Sequence, residues 1–270
     1  MNPCSGIRTG SRLTRSGPRL WIAARLGAKH LVTLVVCCCF GAPAWAENDF
    51  ESDVIATPKG DLKMTFIGHG TLMFQFAGKV IHIDPVSRYA DYTKLPKADL
   101  VLVTHEHGDH LDPEAIAAVS TQATTLLLTK ACRDQLEQGV VMNNGDQKEV
   151  LGFTVEAVPA YNVVHMRQEG VPFHPQGAGN GYILTVANTR ICVAGDTENT
   201  PEMKRLRDID CAFLPMNLPY TMTPEMVADA ARAFKPRLLY PYHFGKTDTS
   251  KLVALLEDAK EIEVRIRNLQ

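Results

Sequence analysis

Acidic residues are missing from the first 46 positions of this 270-residue chain, although 30 occur in the whole. The same stretch carries Arg8, Arg12, Arg15, Arg19, Arg25 and Lys29 and closes with LVTLVVCCCFGAPAWA. Its apolar part, about ten residues, is too short to cross a bilayer comfortably. A basic region, a short apolar region and the small-residue site Ala44-Trp45-Ala46 together describe a secretory signal peptide. A mitochondrial transit peptide would share the absence of acids but not the apolar run. A lipoprotein would need a small residue where Val36 precedes Cys37. The expectation is cleavage between Ala46 and Glu47, a periplasmic or secreted product, and no stable membrane anchor afterwards.

Cysteine is scarce beyond the leader, where only Cys132, Cys192 and Cys211 occur. An odd number makes no closed disulfide framework, and Cys192 and Cys211 lie in apolar runs that suit buried free thiols. Positive charge is scarce too. Without the leader, 22 basic residues face 30 acidic ones, a balance of about −8. That excludes the basic stripe of a nucleic-acid surface. Repeats, low-complexity tracts and linkers are absent after residue 47, so residues 47–270 read as one domain.

The runs LKMTFIG (62–68), TLMFQFA (71–77) and KVIHIDP (79–85), split by short Gly-bearing turns, predict an antiparallel meander. ADLVLVTH (98–105) is apolar enough for a strand buried on both faces. Further strands are expected at 124–129, 153–160, 181–187, 189–196, 211–217 and 237–244, with a short one in EVRIR. Helix starts are written in Asp112-Pro113-Glu114, Thr200-Pro201-Glu202 and Thr223-Pro224-Glu225, each a cap, a proline and a first-turn acid. The third opens a helix whose Met226, Val227, Ala230, Ala231 and Phe234 share one face, and TSKLVALLEDAK predicts a last helix. Strands that pair as hairpins and also alternate with helices predict an α/β layered sandwich with two mixed sheets.

The chemistry concentrates in VLVTHEHGDHLD, residues 101–112. His105, His107 and His110 repel one another when protonated and are costly to bury unpaired when neutral. A metal ion removes both problems, since neutral imidazole and carboxylate are zinc ligands. Two other apolar strands also end in an ionisable residue, Asp196 after ICVAG and His243 after LLYPY. Buried strands that terminate together bring such residues to one sheet edge.

THEHGDH, followed by AGDT and YPYHF, resembles the motif set of the metallo-β-lactamase superfamily in matching order over residues 62–245. The segment IGHGTLMFQF…IDPV resembles the branch of ascorbate-phosphate lactonases and N-acylphosphatidylethanolamine phospholipase D more than true β-lactamases. The resemblance implies a single four-layer αββα domain with two divalent ions, zinc foremost and manganese or iron as alternatives. It implies His105 and His107 on the first ion, Asp109, His110 and His243 on the second, and Asp196 bridging them. Gly108 would permit the turn that divides the short peptide between two ions. The implied activity is hydrolysis of an ester, lactone or phosphodiester bond in a small molecule by a metal-bound hydroxide. The alternative is a non-catalytic metal-binding or sensing module on the same fold.

One position departs from the family. Asn162 stands where a further histidine is expected after TVEAVPA, and Asn is a poor zinc ligand. His165 and His174 follow, and His174, bracketed by Pro172 and Pro175, is the preferred third donor to the first ion. His69 is a candidate catalytic residue beside Asp109 and Asp196, with a turn histidine as the alternative. Asp84 reads as a hydrogen-bond partner of a ligand imidazole or as a turn cap, and His82 as structural. Tyr161, Tyr220 and Tyr242 read as packing, and Arg88 and Arg167 as solvated, with substrate contacts as the alternatives. Loops 86–97, 161–180 and 217–223 are expected to shape the pocket.

Overall fold

The structure, a computed structural model, describes residues 50–269, so the expected leader and its cleavage point lie outside the described residues. The first sheet contains β1 (Ser52–Thr57), β2 (Gly60–Gly68), β3 (Thr71–Phe76), β4 (Lys79–Ile83), β5 (Leu100–Leu102), β6 (Thr125–Leu128) and β7 (Val140–Val141), side by side in chain order. Neighbours are antiparallel as far as β4 and parallel from there. Side-chain alternation decides which face each residue serves. Leu72, Phe74, Ile81, Ile83, Leu100 and Leu102 enter the larger apolar core. Met73, Val80, Val101, Val103, Leu126 and Leu128 point the other way. They pack under α1 (Pro113–Val119) and α2 (Lys130–Leu136) through Ala115, Ile116, Val119 and Cys132.

The second sheet takes β8 (Gln147–Val150) and β9 (Phe153–Ala160). A small separate hairpin follows, β10 (Met166–Gln168) with β11 (Val171–Pro172). The sheet resumes with β12 (Gly179–Val186), β13 (Thr189–Val193) and β14 (Cys211–Pro215). Beyond α3 (Pro224–Phe234) come β15 (Leu238–Tyr242), α4 (Ser250–Leu255) and β16 (Glu263–Val264). Its order is β16-β15-β14-β13-β12-β9-β8, parallel from β13 to β16 and antiparallel elsewhere. Both sheets are therefore mixed, and with helices outside them the domain is a four-layer αββα sandwich. Thr223 caps α3 by accepting from Met226 N at 3.2 Å, and Val227, Ala230, Ala231 and Phe234 are buried.

Three expectations change. The capping pattern at Thr200 is used, with Thr200 Oγ1 accepting from Met203 N at 3.1 Å, but only a 3₁₀ turn at Met203–Arg205 follows. β14 must begin at Cys211 to pair with Ile191, which leaves no length for a full helix. The closing helix stops at Leu255, short of Lys260. The edge strand β8 alternates exposed and half-buried residues, so no apolar run marks it in the sequence.

Candidate metal centre

The histidine-rich segment is pinned at both ends. Asp84, wholly buried just past β4, accepts from Thr104 N at 2.7 Å, Thr104 Oγ1 at 2.6 Å and His110 Nδ1 at 2.8 Å. At the far end Asp112 caps α1, accepting from Glu114 N at 2.9 Å and Ala115 N at 3.1 Å. Gly108 does not play its expected role. Its φ is not positive and a Cβ there would meet nothing within 4 Å. It lies on the wall of the cleft described below, where a side chain would take up space. The required glycine is Gly195, which has φ +65 and whose Cβ would sit 2.7 Å from Asn180 O, and it turns Asp196 inward past β13. His69 and His243 also hold left-handed backbone, φ +53 and +47, joined by the His243 N–H bond to His69 O at 3.0 Å. Such conformations cost about 1–3 kcal/mol each, and the bond between the two residues helps to hold them.

Asp196 is the centre of the arrangement. Its Oδ1 lies 3.4 Å from His110 Nε2, and its Oδ2 lies 3.3 Å from His243 Nε2, 3.4 Å from His174 Nε2 and 4.0 Å from His105 Nε2. On one side His105, His107 and His174 form a set, with His105 Nε2 3.1 Å from His107 Nδ1. On the other side Asp109 Oδ2 is 3.2 Å from His69 Nε2, 3.5 Å from His243 Nε2 and 3.9 Å from His110 Nε2. The donor atoms of each set lie within 4.8 Å of one another. Separations near 3.3 Å suit the edges of a tetrahedron with metal–donor bonds of about 2.0–2.1 Å.

The proton positions fit a cation as well. Thr104 Oγ1 gives its hydrogen to Asp84, so it must accept from His105 Nδ1, 3.1 Å away. His110 donates from Nδ1 to Asp84. Asn162 Nδ2 faces two acceptors, Glu198 Oε1 at 3.2 Å and Tyr220 O at 2.9 Å, so its Oδ1 must be the atom facing His174. It accepts there from His174 N and Nδ1, both at 2.8 Å. His105 and His174 thus carry their protons on Nδ1 and turn a free Nε2 lone pair to the side of Asp196, and the His110 ring is fixed with Nδ1 on Asp84 and Nε2 facing Asp196. His110 Nε2, Asp196 Oδ1 and both nitrogens of His243 are buried with no hydrogen-bond partner among the described residues. Orphaned donors of this kind are costly unless a cation takes them up.

The charges agree. Burial drives His105 well below the usual imidazole range and His174 down to about 4, which keeps both rings neutral as ligands must be. Burial opposes charge on His110, but Asp196, Asp84 and Asp109 outweigh it and raise that ring to about 9. Burial alone would raise Asp196, yet His243, His110, His105 and His174 hold it far below the ordinary carboxylate range. Two carboxylates, Asp109 and Asp196, therefore meet the neutral rings of His105 and His174, while His110 holds its charge against Asp196 and Asp84.

The sequence weighed three residues for the remaining position, and the structure separates them. His174 comes together with His105 and His107. His165 turns to Glu198, to which both its Nδ1 and its backbone N–H donate. Asn162 acts through His174. Glu198, unnoticed in the sequence, has no exposed surface and also accepts from Val163 N at 2.6 Å and Val164 N at 2.5 Å, tying the loop after β9 to the loop after β13. Only its place two residues past Asp196 could have hinted at this.

An open cleft of about 410 Å³ leads to the centre, lined by Asp109, Asp196 and His243 below and Arg167, Phe173 and Tyr220 above. Tyr220 is therefore not a packing residue, being 46% exposed at the mouth. Tyr161 donates to Glu202, and Tyr242 is wholly buried. Loops 161–180 and 217–223 do form the walls, but loop 86–97 supplies none of the lining and instead backs His69 with Tyr89, ring centroids 5.6 Å apart. Arg88 is likewise outside the cleft lining.

The family model of the beta-lactamase superfamily domain matches residues 63–243. A metal-dependent hydrolase of Pelotomaculum thermopropionicum is 29% identical over 220 residues, 76% of this chain and 96% of that protein. Another from Ligilactobacillus salivarius is 32% identical, covering 68% of this chain and 85% of the relative. The crystal structure of a protein assigned as a metal-dependent hydrolase from Parabacteroides distasonis superposes with TM-score 0.78 at 50% identity, over 82% of this chain and 100% of that one. With its histidine-rich segment, Asp196 and His243 assembled at one edge of an αββα sandwich, the chain belongs to the metallo-β-lactamase superfamily.

Proposed function

We propose that the protein is a two-metal hydrolase acting on an ester, lactone or phosphodiester bond of a small molecule. The observation that carries this reading is the Asp196 carboxylate, with four imidazole Nε2 atoms from both donor sets within 4.0 Å. His105, His107 and His174 would hold one cation, and Asp109, His110 and His243 the other, with Asp196 shared. His69, 3.2 Å from Asp109 Oδ2, either orients that carboxylate or adds a donor to the second cation. The nitrogen-rich set favours zinc. When bound, the cations would supply Lewis acidity toward a carbonyl or phosphoryl oxygen and a water nucleophile at neutral pH. The chain's own part is to hold the ring tautomers through Thr104, Asp84 and Asn162. A non-catalytic site would be closed by its ligands, whereas here an open cleft reaches Asp196.

The test is turnover of a panel of phosphodiesters and lactones by protein stripped of metal and reloaded with zinc, manganese or iron(II). Turnover is expected only after reloading. Asp196→Asn should lower metal content and abolish turnover while leaving the thermal unfolding of the metal-free protein cooperative. Full metal content with normal turnover in that variant would overturn the shared-ligand role.

A further inference from the structure

Arg167 is the one lysine or arginine among the residues lining the cleft. It sits on β10 with its guanidinium 5.7 Å from the centroid of the Phe173 ring. Phe173 in turn meets Tyr220 edge-on, ring centroids 5.1 Å apart. Arg167 makes no ion pair with a carboxylate among the described residues, as is true also of Arg88, Arg133, Arg205, Arg207 and Arg237, and its place in the cleft beside Phe173 sets it apart from them. A guanidinium lying on an aromatic face keeps its in-plane donors free for a planar or tetrahedral anion.

Two further features belong to the segments that carry these residues. The segment carrying Arg167 is anchored at its base, because the buried Glu198 carboxylate holds the N–H groups of Val163, Val164 and His165. In addition, six of the eleven exposed large apolar side chains among the described residues belong to the two segments that wall the cleft. They are Val163, Val164, Met166, Val171, Leu218 and Tyr220. Of these, Tyr220 lines the cleft itself, beside Phe173.

We infer that the cleft selects substrates joining a compact anionic group to an aromatic or branched apolar group. Arg167 pairs with the anion, and Phe173 with Tyr220 takes the apolar part. This rests on the hydrolase reading above and adds the class of molecule that the site accepts. Arg167, Phe173 and Tyr220 line the same cleft as Asp109, Asp196 and His243, so both parts of such a substrate lie in one cavity with the proposed metal donors.

Binding of inert probes tests this without turnover. Phenylphosphonate, methylphosphonate, 3-phenylpropanoate and neutral benzyl alcohol would be titrated calorimetrically into the metal-loaded full chain and into its Arg167→Gln and Tyr220→Ala variants. Arg167→Gln should weaken the anions about tenfold, the usual scale for one charge-assisted hydrogen bond, with metal content and benzyl alcohol binding unchanged. The phosphonate and carboxylate arms show which anion is preferred. Tyr220→Ala should weaken phenylphosphonate more than methylphosphonate. Anions that bind parent and Arg167→Gln equally, or bind neither, would overturn the inference. Arg167-dependent binding without turnover of any ester would instead overturn the hydrolase reading alone.

Discussion

Replacing Asn162 by alanine removes four hydrogen bonds at once: two accepted from His174 and two donated, to Glu198 and the Tyr220 carbonyl. The losses are unequal. Glu198 keeps its bonds to Val163, Val164 and His165, so its carboxylate stays satisfied. His174 loses its acceptors at both N and Nδ1, and its ring is free to turn or to move its proton to Nε2. A hydrogen-bond partner of a metal-ligating histidine is worth about 10- to 100-fold in metal affinity, or about 1.4–2.8 kcal/mol. Two buried donors left without partners would also cost about 2–6 kcal/mol of fold stability. Zinc affinity by competition with a chromophoric chelator, read beside urea unfolding of the metal-free chain, measures both. His165→Ala is the control: it removes a ring bound to Glu198, away from the donor set, and should change zinc affinity less than threefold. Zinc affinity of Asn162→Ala within twofold of the parent would refute the claim that this side chain sets the His174 tautomer.

His82 supplies a pH test remote from the metal donors. It has no exposed surface, donates from Nε2 to Pro96 O at 3.0 Å, and burial lowers it to about 4. The unfolded chain takes up this proton near pH 6.5, so the neutral ring's contribution is complete above that pH and is lost as pH falls toward 4, by about 3 kcal/mol. His82→Gln should flatten this part of the stability curve relative to the parent, and parallel curves for the two proteins would contradict the assignment. Export from its native host is expected to yield a mature chain beginning at Glu47. Amino-terminal sequencing of the exported protein checks this, and an intact Met1 terminus would remove the secretion argument.

Much of this protein is written locally. The clash of three close imidazoles needs no tertiary information, since His105, His107 and His110 are covalently near one another. Asp196 and His243 are legible because an apolar strand that ends in an ionisable residue must present it at a sheet edge. Asp112 and Thr223 cap helices as their neighbours require, because capping bonds span two or three residues. The preference for His174 over His165 rested on flanking prolines, and the structure indeed gathers His174 with His105 and His107. What the fold alone decided involves partners far apart in sequence. Asn162 meets His174 across 12 residues and Glu198 across 36, and Asp84 reaches His110 across 26. No spacing rule connects them. A lone Asn, Glu or Arg has many places in a fold where it is satisfied, and only packing chooses one. The sequence alone therefore shows Asn162 as a departure from the family pattern, and only the fold shows it accepting from His174 N and Nδ1. Arg167 is legible as a charge, and only the fold sets its guanidinium over the Phe173 ring in the cleft that reaches Asp196.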